Sequence, residues 1–249
     1  MVRYAVADLH GQLDLLTQIK EYINEDDILY VLGDSGDRGP EPWRTLKLCL
    51  DDPQIVYLMG NHDRMLVDAI EFYMERMLED GHCFLFNYMY VPKNPFYILF
   101  LNGAIPTFEG WQNELPQEQM RYYNMLRRLP YEIRLAALDG SYFIYLNHAG
   151  VDPDYIIDSP DELLWDRKHF LSDWYSDNSD IVIGGHTPTE FIIKKLSKGS
   201  YDLSKGYLSY NNGKKLCIDI GACFYNKTIL VNIDTLKGKI FTTGENNGS

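Results

Sequence analysis

The sequence predicts an α/β protein, and two observations carry that prediction. Short apolar segments alternate with amphipathic helical ones, and polar side chains follow the apolar segments directly. In a sheet flanked by helices the carboxyl ends of the strands line the crevice where ligands bind, so these side chains should converge. With 249 residues, 45% of them hydrophobic, the chain can bury a substantial core. We expect one domain over residues 1–243 and a disordered polar tail over 244–249.

The first strand–helix–strand unit covers residues 3–32. Segments 3–7 and 28–32 are apolar and strand-like, and the apolar positions between 13 and 23 recur at helical spacing. Asp8 and His10 follow the first strand, and Asp34 follows the second. Three candidate ligands therefore lie just beyond the ends of these two strands.

The same pattern repeats from Pro42 onward. A helix is predicted from Pro42 to Leu50, because proline is favoured in the first helical turn, and a turn at residues 51–53 ends it. Segment 55–59 predicts a third strand, which Asn61 and His62 follow. Residues 64–81 predict a helix whose methionine stripe is typical of core packing.

Residues 82–134 are harder to assign, because aromatic residues are dense and prolines recur. One helix is predicted from Pro116 to Arg128. The segment suits two descriptions equally well: an insertion that forms a wall beside the site, or a satellite hydrophobic cluster away from it.

The second half of the chain supplies the remaining candidate ligands. Segment 142–146 predicts a strand before His148, and segment 181–183 predicts one before His186. A connection over 197–213 leads to strands at 215–220, 228–233 and 239–243, with a hairpin turn at 234–238.

Composition excludes several classes of protein. Asp and Glu number 36 against 23 Lys and Arg, a formal charge of −13, so nucleic acid is not expected as a partner. No apolar run approaches the roughly 20 residues that cross a bilayer, so no membrane association is expected. The 4 cysteines lack C-x-x-C spacing, which indicates buried thiols in a reduced, cytoplasmic protein.

The candidate ligands offer oxygen and imidazole donors without thiolates. They are Asp8, His10, Asp34, Asn61, His148 and His186. A single aspartate or histidine after a strand is more often a cap or turn residue, but coincidence at successive strand ends favours a metal site. The set suits Mn, Fe, Zn, Ni or Co better than a closed structural zinc site. Six ligands are more than one catalytic ion with open positions requires. The sequence therefore predicts two divalent ions that share a bridging carboxylate. Such a centre hydrolyses a phosphoryl group with a metal-bound hydroxide.

Segment 33–39, Gly-Asp-Ser-Gly-Asp-Arg-Gly, supports phosphate chemistry. Arg38 can form a forked pair of hydrogen bonds with phosphate oxygens, and the glycines let the backbone approach a crowded centre. Asp37 can accept a hydrogen bond from a histidine ring, and His62 is the candidate.

Ordered motifs along the chain resemble those of the phosphoprotein phosphatase family of serine/threonine phosphatases, particularly its short bacterial and phage members. They are residues 8–11, 33–39, 60–63, 148–150 and 185–188, and residues 218–222 also match. The resemblance implies a calcineurin-like metallophosphoesterase sandwich, in which two mixed β-sheets lie face to face with helices outside.

The resemblance also implies a role for each site residue. One ion would be held by Asp8, His10 and Asp34. The other would be held by Asp34, Asn61, His148 and His186, with manganese the first choice of metal. His62 would act as general acid, oriented by Asp37. The phosphate would be bound by Arg38 and by Arg167, whose simpler explanation is a surface salt bridge.

The implied substrate is a phosphoprotein or phosphopeptide bearing phosphoserine or phosphothreonine. Symmetrical diadenosine tetraphosphate hydrolases share the metal core, so a dinucleotide polyphosphate is the alternative, and a catalytically silent binding module is the third reading. Three positions depart from the family pattern: Ala7 replaces glycine, Asp63 replaces glutamate, and Met59 replaces an arginine found in many relatives. Met59 would lie either at the mouth of the site or in the core.

Overall fold

Two mixed β-sheets form the framework of the computed structural model, which describes residues 1–80, 91–92, 94–155, 157–172 and 179–244. The first sheet contains β1 (Arg3–Val6), β2 (Ile28–Val31), β3 (Ile55–Tyr57), β10 (Lys227–Asn232) and β11 (Lys237–Thr242), in the spatial order β11-β10-β1-β2-β3. The second contains β4 (Glu132–Ala136), β5 (Phe143–Asn147), β6 (Ile181–Gly184), β7 (Tyr201–Asp202), β8 (Leu208–Tyr210) and β9 (Lys215–Cys217), in the order β4-β5-β6-β9-β8-β7.

Each sheet combines three parallel strands with antiparallel ones: the parallel strands form one side of the first sheet and the centre of the second. Strands β1, β2 and β3 are parallel in the first sheet, and β5, β6 and β9 are parallel in the second. Strands β10 and β11 form the predicted hairpin, with Asn232 paired to Lys237 beside its turn. Both sheets are therefore mixed, which confirms the α/β fold class.

The sheets pack on each other through one face, and helices cover their outer faces. In β1, Ala5 contacts the cluster that also contains Ile144 and Leu146 of β5, whereas Val6 contacts the cluster shared with the helices. This alternation follows from the period of two in a strand, because successive side chains point to opposite faces.

Helices make up the other regular elements of the described residues. They are α1 (Leu13–Tyr22), α2 (Pro42–Asp51), α3 (Asn61–Asp80), α4 (Pro95–Leu101), α5 (Ile105–Gln112), α6 (Pro116–Leu126), α7 (Glu162–Trp165), α8 (Thr189–Ile193) and α9 (Ala222–Tyr225), with a 3₁₀ turn at His169–Leu171. Among the helices within these described ranges, none is long and apolar enough to cross a membrane.

Helix α3 begins at Asn61, three residues before the predicted start, because its first turn is capped by two carboxylates. The Asp63 carboxylate accepts hydrogen bonds from the backbone N–H of Gly60 (2.9 Å) and of Asp34 (3.0 Å). Asp34 Oδ1 accepts from the N–H of His62 (2.9 Å). An acidic residue in the third helical position that reaches back to the cap is a known stabiliser of helix starts. The caps therefore place Asn61 and His62 in the first turn.

The segment 82–134 contains more regular structure than predicted. Helices α4 and α5 were not predicted, and Pro95 and Pro106 each lie in the first turn of one of them, where proline is favoured. Phe96 and Phe108 are fully buried in the main core, so the satellite-cluster description is wrong for the described part of this segment. The short strands β4, β7 and β8 were also missed.

Parts of several predictions lie outside the described residues, among them residue 81 of the predicted 64–81 helix and residues 82–90 and 93 of the 82–134 segment. The polar tail is described only at Gly244, so its boundary stays a prediction. Cys83 also lies outside, while Cys49, Cys217 and Cys223 are free thiols and the first two are buried.

Candidate metal centre

Sharp backbone turns follow the strands that carry the predicted ligands. Six residues there have positive φ angles although none is glycine: Asp8 (51°), His10 (42°), Asp34 (55°), Asp37 (66°), Arg38 (63°) and His186 (64°). Left-handed backbone is unfavourable for such residues and is concentrated at functional sites. The turns aim the side chains back into the crevice instead of letting the strands continue.

Ligands arrive from both sheets. Asp8, Asp34 and Asn61 follow the parallel strands β1, β2 and β3, and His148 and His186 follow β5 and β6. All of them are buried. The centre therefore lies where the carboxyl ends of the two parallel triplets meet, as the strand-end pattern predicted.

Two glycines allow the backbone to approach the carboxylates. A Cβ atom on Gly60 would lie 2.1 Å from Asp34 Oδ1, and one on Gly185 would lie 2.0 Å from Asp8 Oδ2. The neighbouring N–H of His186 instead donates to Asp8 Oδ2 (2.9 Å). Any side chain at these glycines would displace a predicted ligand.

Backbone carbonyls orient two of the histidine rings. His10 Nδ1 lies 3.1 Å from the carbonyl oxygen of Gly36, and His148 Nδ1 lies 2.7 Å from that of Leu32. An Nδ1–H that donates to a carbonyl leaves the Nε2 lone pair pointing inward, which is the usual arrangement of a metal-ligating histidine.

Oxygen acceptor atoms lie close to the rings of His148 and His186. Asn61 Oδ1 lies 2.9 Å from both His148 Nε2 and His186 Nδ1, and Asp34 Oδ2 lies 3.4 Å from His148 Nε2. Burial opposes a charge on His148, but the Asp34 carboxylate outweighs it and raises the pKa of His148 to about 10. The position thus favours a positive charge, and a divalent cation bound by these atoms would replace that proton.

Two groups of potential ligand atoms share Asp34. One comprises His10, Asp34 and His62, the other Asp34, His148 and His186, and within each group the atoms lie within 4.8 Å of one another. The shared carboxylate fits the predicted bridge. Asp8 is in neither group, but its carboxyl is buried in the same centre, where burial and then Asp219 raise its pKa. The oxygen and imidazole donor set therefore fits two divalent ions.

His62 belongs to a buried chain of hydrogen bonds. Its Nδ1 lies 2.5 Å from Asp37 Oδ2, and the other Asp37 oxygen accepts from the hydroxyl of Thr107. On the opposite side, Arg38 Nη2 lies 2.7 Å from His62 Nε2, and Arg38 Nη1 lies 3.1 Å from His10 Nε2. Asp37 thus fixes the ring, and Nε2 faces the cavity beside a guanidinium.

A cavity of about 230 Å³, called here the metal cavity, opens onto these groups. Arg38 and Arg167 both line it, together with Asn102 of the 82–134 segment. Arg167 Nη1 donates to Thr187 Oγ1 (2.9 Å), and within the described chain Arg167 forms no ion pair, so the surface salt bridge is not found. Trp165, Phe191 and Phe224 form an exposed aromatic rim.

Sequence reasoning missed three residues of the site. Asp219 follows β9, lines the metal cavity and is buried, and burial raises its pKa to about 6 although it accepts from the N–H of Gly221. The predicted strand extended to residue 220 and so included Asp219, whereas the observed strand ends at Cys217 and leaves Asp219 beyond its end. Thr107 had no local signal, because its contact with Asp37 spans 70 residues. Asp63 was treated only as a departure, whereas it caps α3 and accepts from the Tyr57 hydroxyl.

Met59 does not contribute to the site. Its side chain is only 1% exposed, and it does not line the metal cavity. The core alternative therefore describes this position, where a buried methionine just after β3 stands in place of the arginine.

Comparison with known proteins agrees with this geometry. Residues 1–190 match the family described as calcineurin-like phosphoesterase. The chain is 34% identical over 204 residues to serine/threonine-protein phosphatase 2 of Salmonella typhimurium strain LT2, covering 76% of this chain and 80% of that protein. It is 36% identical over 81 residues to the symmetrical bis(5'-nucleosyl)-tetraphosphatase of Stutzerimonas stutzeri strain A1501, covering 31% of this chain and 29% of that protein. A crystal structure described as a candidate diadenosine tetraphosphatase is similar with a TM-score of 0.61 and 16% identity, covering 99% of this chain and 94% of that one.

Proposed function

The chain belongs to the calcineurin-like phosphoesterase family, and we propose that it hydrolyses phosphoserine and phosphothreonine in proteins or peptides. The observation that carries the proposal is the His62–Asp37 pair beside Arg38 at the edge of the candidate metal centre. Similarity to a bacterial serine/threonine-protein phosphatase over most of both chains supports the same substrate class.

The proposed ligands are the six predicted residues, and His62 is not one of them although it lies within one of the two groups that share Asp34. They are Asp8, His10, Asp34, Asn61, His148 and His186. When bound, two divalent cations supply Lewis acidity that polarises the phosphate and lowers the pKa of a water molecule. Asp34 would hold the two ions close together, because it belongs to both groups of ligand atoms. Manganese remains the first choice among Mn, Fe, Zn, Ni and Co.

Arg38 and Arg167 would bind the phosphate. Both line the metal cavity, and Arg38 already lies between the rings of His10 and His62, so its guanidinium borders the candidate metal ligands. Forked hydrogen bonds from arginine to phosphate oxygens are charge-assisted and directional. They would strengthen as charge redistributes on those oxygens in the transition state.

His62 would supply the proton that a serine or threonine alkoxide needs as it leaves. Asp37 accepts from Nδ1–H, and Nε2 faces the cavity, where it accepts from Arg38 in this structure. Nε2 would carry the transferable proton once Arg38 donates to the phosphate instead. Thr107 donates a hydrogen bond to the second oxygen of Asp37. This bond fixes the orientation of the carboxylate, which in turn orients the His62 ring. Thr107 is a positioning residue in this scheme.

A second candidate function has its own support. The segment of 81 residues that is 36% identical to a symmetrical bis(5'-nucleosyl)-tetraphosphatase makes a dinucleotide polyphosphate the competing substrate. A catalytically silent binding module has less support, because all six predicted ligands and His62 are buried together at one end of the sheets.

One assay separates the candidates. Protein with defined metal content is given phosphoserine, phosphothreonine and phosphotyrosine peptides and diadenosine tetraphosphate, and product release is measured for each. The proposal expects the largest kcat/KM on a phosphoserine or phosphothreonine peptide. Preference for diadenosine tetraphosphate would replace it with the second function, and turnover of none would favour the binding module.

A further inference from the structure

A second cavity of about 390 Å³ lies directly beside the metal cavity. Arg167 and Phe191 line both cavities and form the partition between them. We call the second cavity the basic groove, since it is lined by the cations Arg167, Lys194 and Lys195 and by the apolar residues Leu171, Phe191 and Ile192. Because the basic groove lies next to Arg167, which is proposed to bind the phosphate, it can contact another part of the same substrate.

The cations of the basic groove are mostly uncompensated. Within the described chain, neither Arg167 nor Lys195 has a carboxylate at ion-pair distance. Lys194 Nζ lies 3.6 Å from Glu190 Oε1, an exposed contact, and 5.0 Å from the ring centroid of Phe191. Glu190 also accepts from the hydroxyl of Tyr225, which divides its charge between two partners.

This local positive charge contrasts with the rest of the molecule. The chain has a formal charge of −13, so an anion is repelled by most of the surface and attracted where cations cluster. The carboxylate nearest in sequence to Arg167, that of Asp166, is engaged elsewhere: it accepts from the N–H of Lys168 (2.7 Å) and pairs with His169 (2.9 Å). The cluster is therefore available to a ligand.

We propose that the basic groove binds a second anionic group of the substrate, tied covalently to the phosphate that is hydrolysed. The proposal rests on the proposed function, and the occupant it commits to is an acidic side chain flanking the phosphorylated residue of a peptide. Lys194 and Lys195 would pair with the carboxylate, and the apolar side chains would contact its methylene groups. The same chemistry would accept a distal phosphate of a dinucleotide polyphosphate, which the test below distinguishes.

The test compares the double variant Lys194→Glu/Lys195→Glu with the control Lys198→Glu. All three lysines are exposed, so the fold should tolerate each change, and Lys198 lies in the same segment without lining the basic groove. The substrates are two phosphothreonine peptides that differ only in glutamate or glutamine at the positions flanking the phosphothreonine, diadenosine tetraphosphate, and p-nitrophenyl phosphate, which has no second anion.

The wild type and the control should prefer the glutamate peptide by about 5- to 10-fold in kcat/KM, the size expected of two exposed ion pairs. The double variant should lose that preference and keep its turnover of p-nitrophenyl phosphate. No preference in the wild type, a preference that survives in the double variant, or an equal loss in the control would overturn the proposal.

Failure of the proposed function has a separate outcome. If the wild type hydrolyses diadenosine tetraphosphate but neither peptide, the protein-phosphatase assignment fails. The basic groove is then judged on diadenosine tetraphosphate alone. A selective loss of kcat/KM in the double variant would support it with a phosphate as occupant, and an unchanged value would overturn it.

Discussion

At the scale of single residues, the chemistry depends on how each side chain is held. His62 is held by Asp37, and Asp37 is held by Thr107 from a helix 70 residues further along the chain. The first partner could be anticipated, because Asp37 lies in the same short segment as Asp34. The second could not, because nothing in the sequence around Thr107 refers to the site.

His62→Asn is expected to slow hydrolysis and leave metal content unchanged. General acid help is typically worth about 10²- to 10⁴-fold and matters most for a poor leaving group. The loss in kcat should therefore be much larger on a phosphoserine peptide than on p-nitrophenyl phosphate, whose leaving group needs little protonation. Steady-state kinetics on both substrates, with metal analysis of each preparation, make the comparison.

Thr107→Val provides a matched variant for the same chain of bonds. It removes the hydroxyl that donates a hydrogen bond to the Asp37 carboxylate. The loss in kcat should again be larger on the phosphoserine peptide than on p-nitrophenyl phosphate, but smaller than in His62→Asn. Equal losses on the two substrates in His62→Asn would argue against proton donation.

Met59→Arg is expected to lower the melting temperature without affecting phosphate binding. Met59 is buried and does not line the metal cavity, so arginine there would place an unpaired charge in the core. Thermal melting and inhibition by free phosphate are the measurements, with Met59→Leu as the control that keeps the volume and apolar character. Tighter phosphate inhibition at an unchanged melting temperature would place this position at the site instead.

At the scale of strands and helices, the parallel strands and the β10–β11 hairpin could be predicted, whereas β4, β7 and β8 of the second sheet could not. The strands β1, β2, β3, β5 and β6 are apolar and end in polar ligands, so pattern and chemistry agree there. Strands β7 and β8 have only two and three residues, which is too short to show the alternation of apolar and polar residues that identifies a strand. Helices α4 and α5 were hidden by prolines that start helices as readily as they end them.

The segment after Arg167 is attached to the second sheet by a buried cation. Lys215 of β9 is fully buried, and its Nζ donates to the carbonyl oxygens of His169 (2.7 Å) and Ser172 (2.9 Å) and pairs with Asp152 Oδ1 (2.8 Å). These bonds attach the residues that follow Arg167 to β9.

Lys215→Met is expected to lower the free energy of unfolding by about 3–5 kcal/mol, because it leaves the Asp152 carboxylate buried without its cation. Urea denaturation measures the change. The double variant Lys215→Met/Asp152→Asn should recover part of it, since the unpaired charge is then gone. A loss below about 1 kcal/mol in the single variant, or no recovery in the double one, would show that the pair does not stabilise this attachment.

At the scale of the whole molecule, the candidate centre exists only where the two sheets meet. Asp8, Asp34 and Asn61 come from the first sheet, and His148 and His186 from the second, so correct packing of the sheets and assembly of the ligands are the same event. Ions that bind only the folded chain stabilise it by an amount that grows with the logarithm of the ratio of free ion concentration to Kd. The sequence predicts candidate ligands at the strand ends, and the structure gathers these side chains in one centre. The contact between the sheets arises from packing and could be expected only through family resemblance.

We propose that this chain is a phosphomonoesterase and that its activity requires two divalent ions that share Asp34. The most direct measurement is phosphate release from a phosphothreonine peptide while metal-free protein is titrated with Mn²⁺, with bound metal counted after gel filtration. Activity should rise to a plateau at two ions per chain, and Asp34→Asn should bind fewer ions and remain nearly inactive, because a neutral amide bridges two cations poorly. Full occupancy by two ions with near-normal turnover in Asp34→Asn, or wild-type activity that does not depend on metal, would contradict the account.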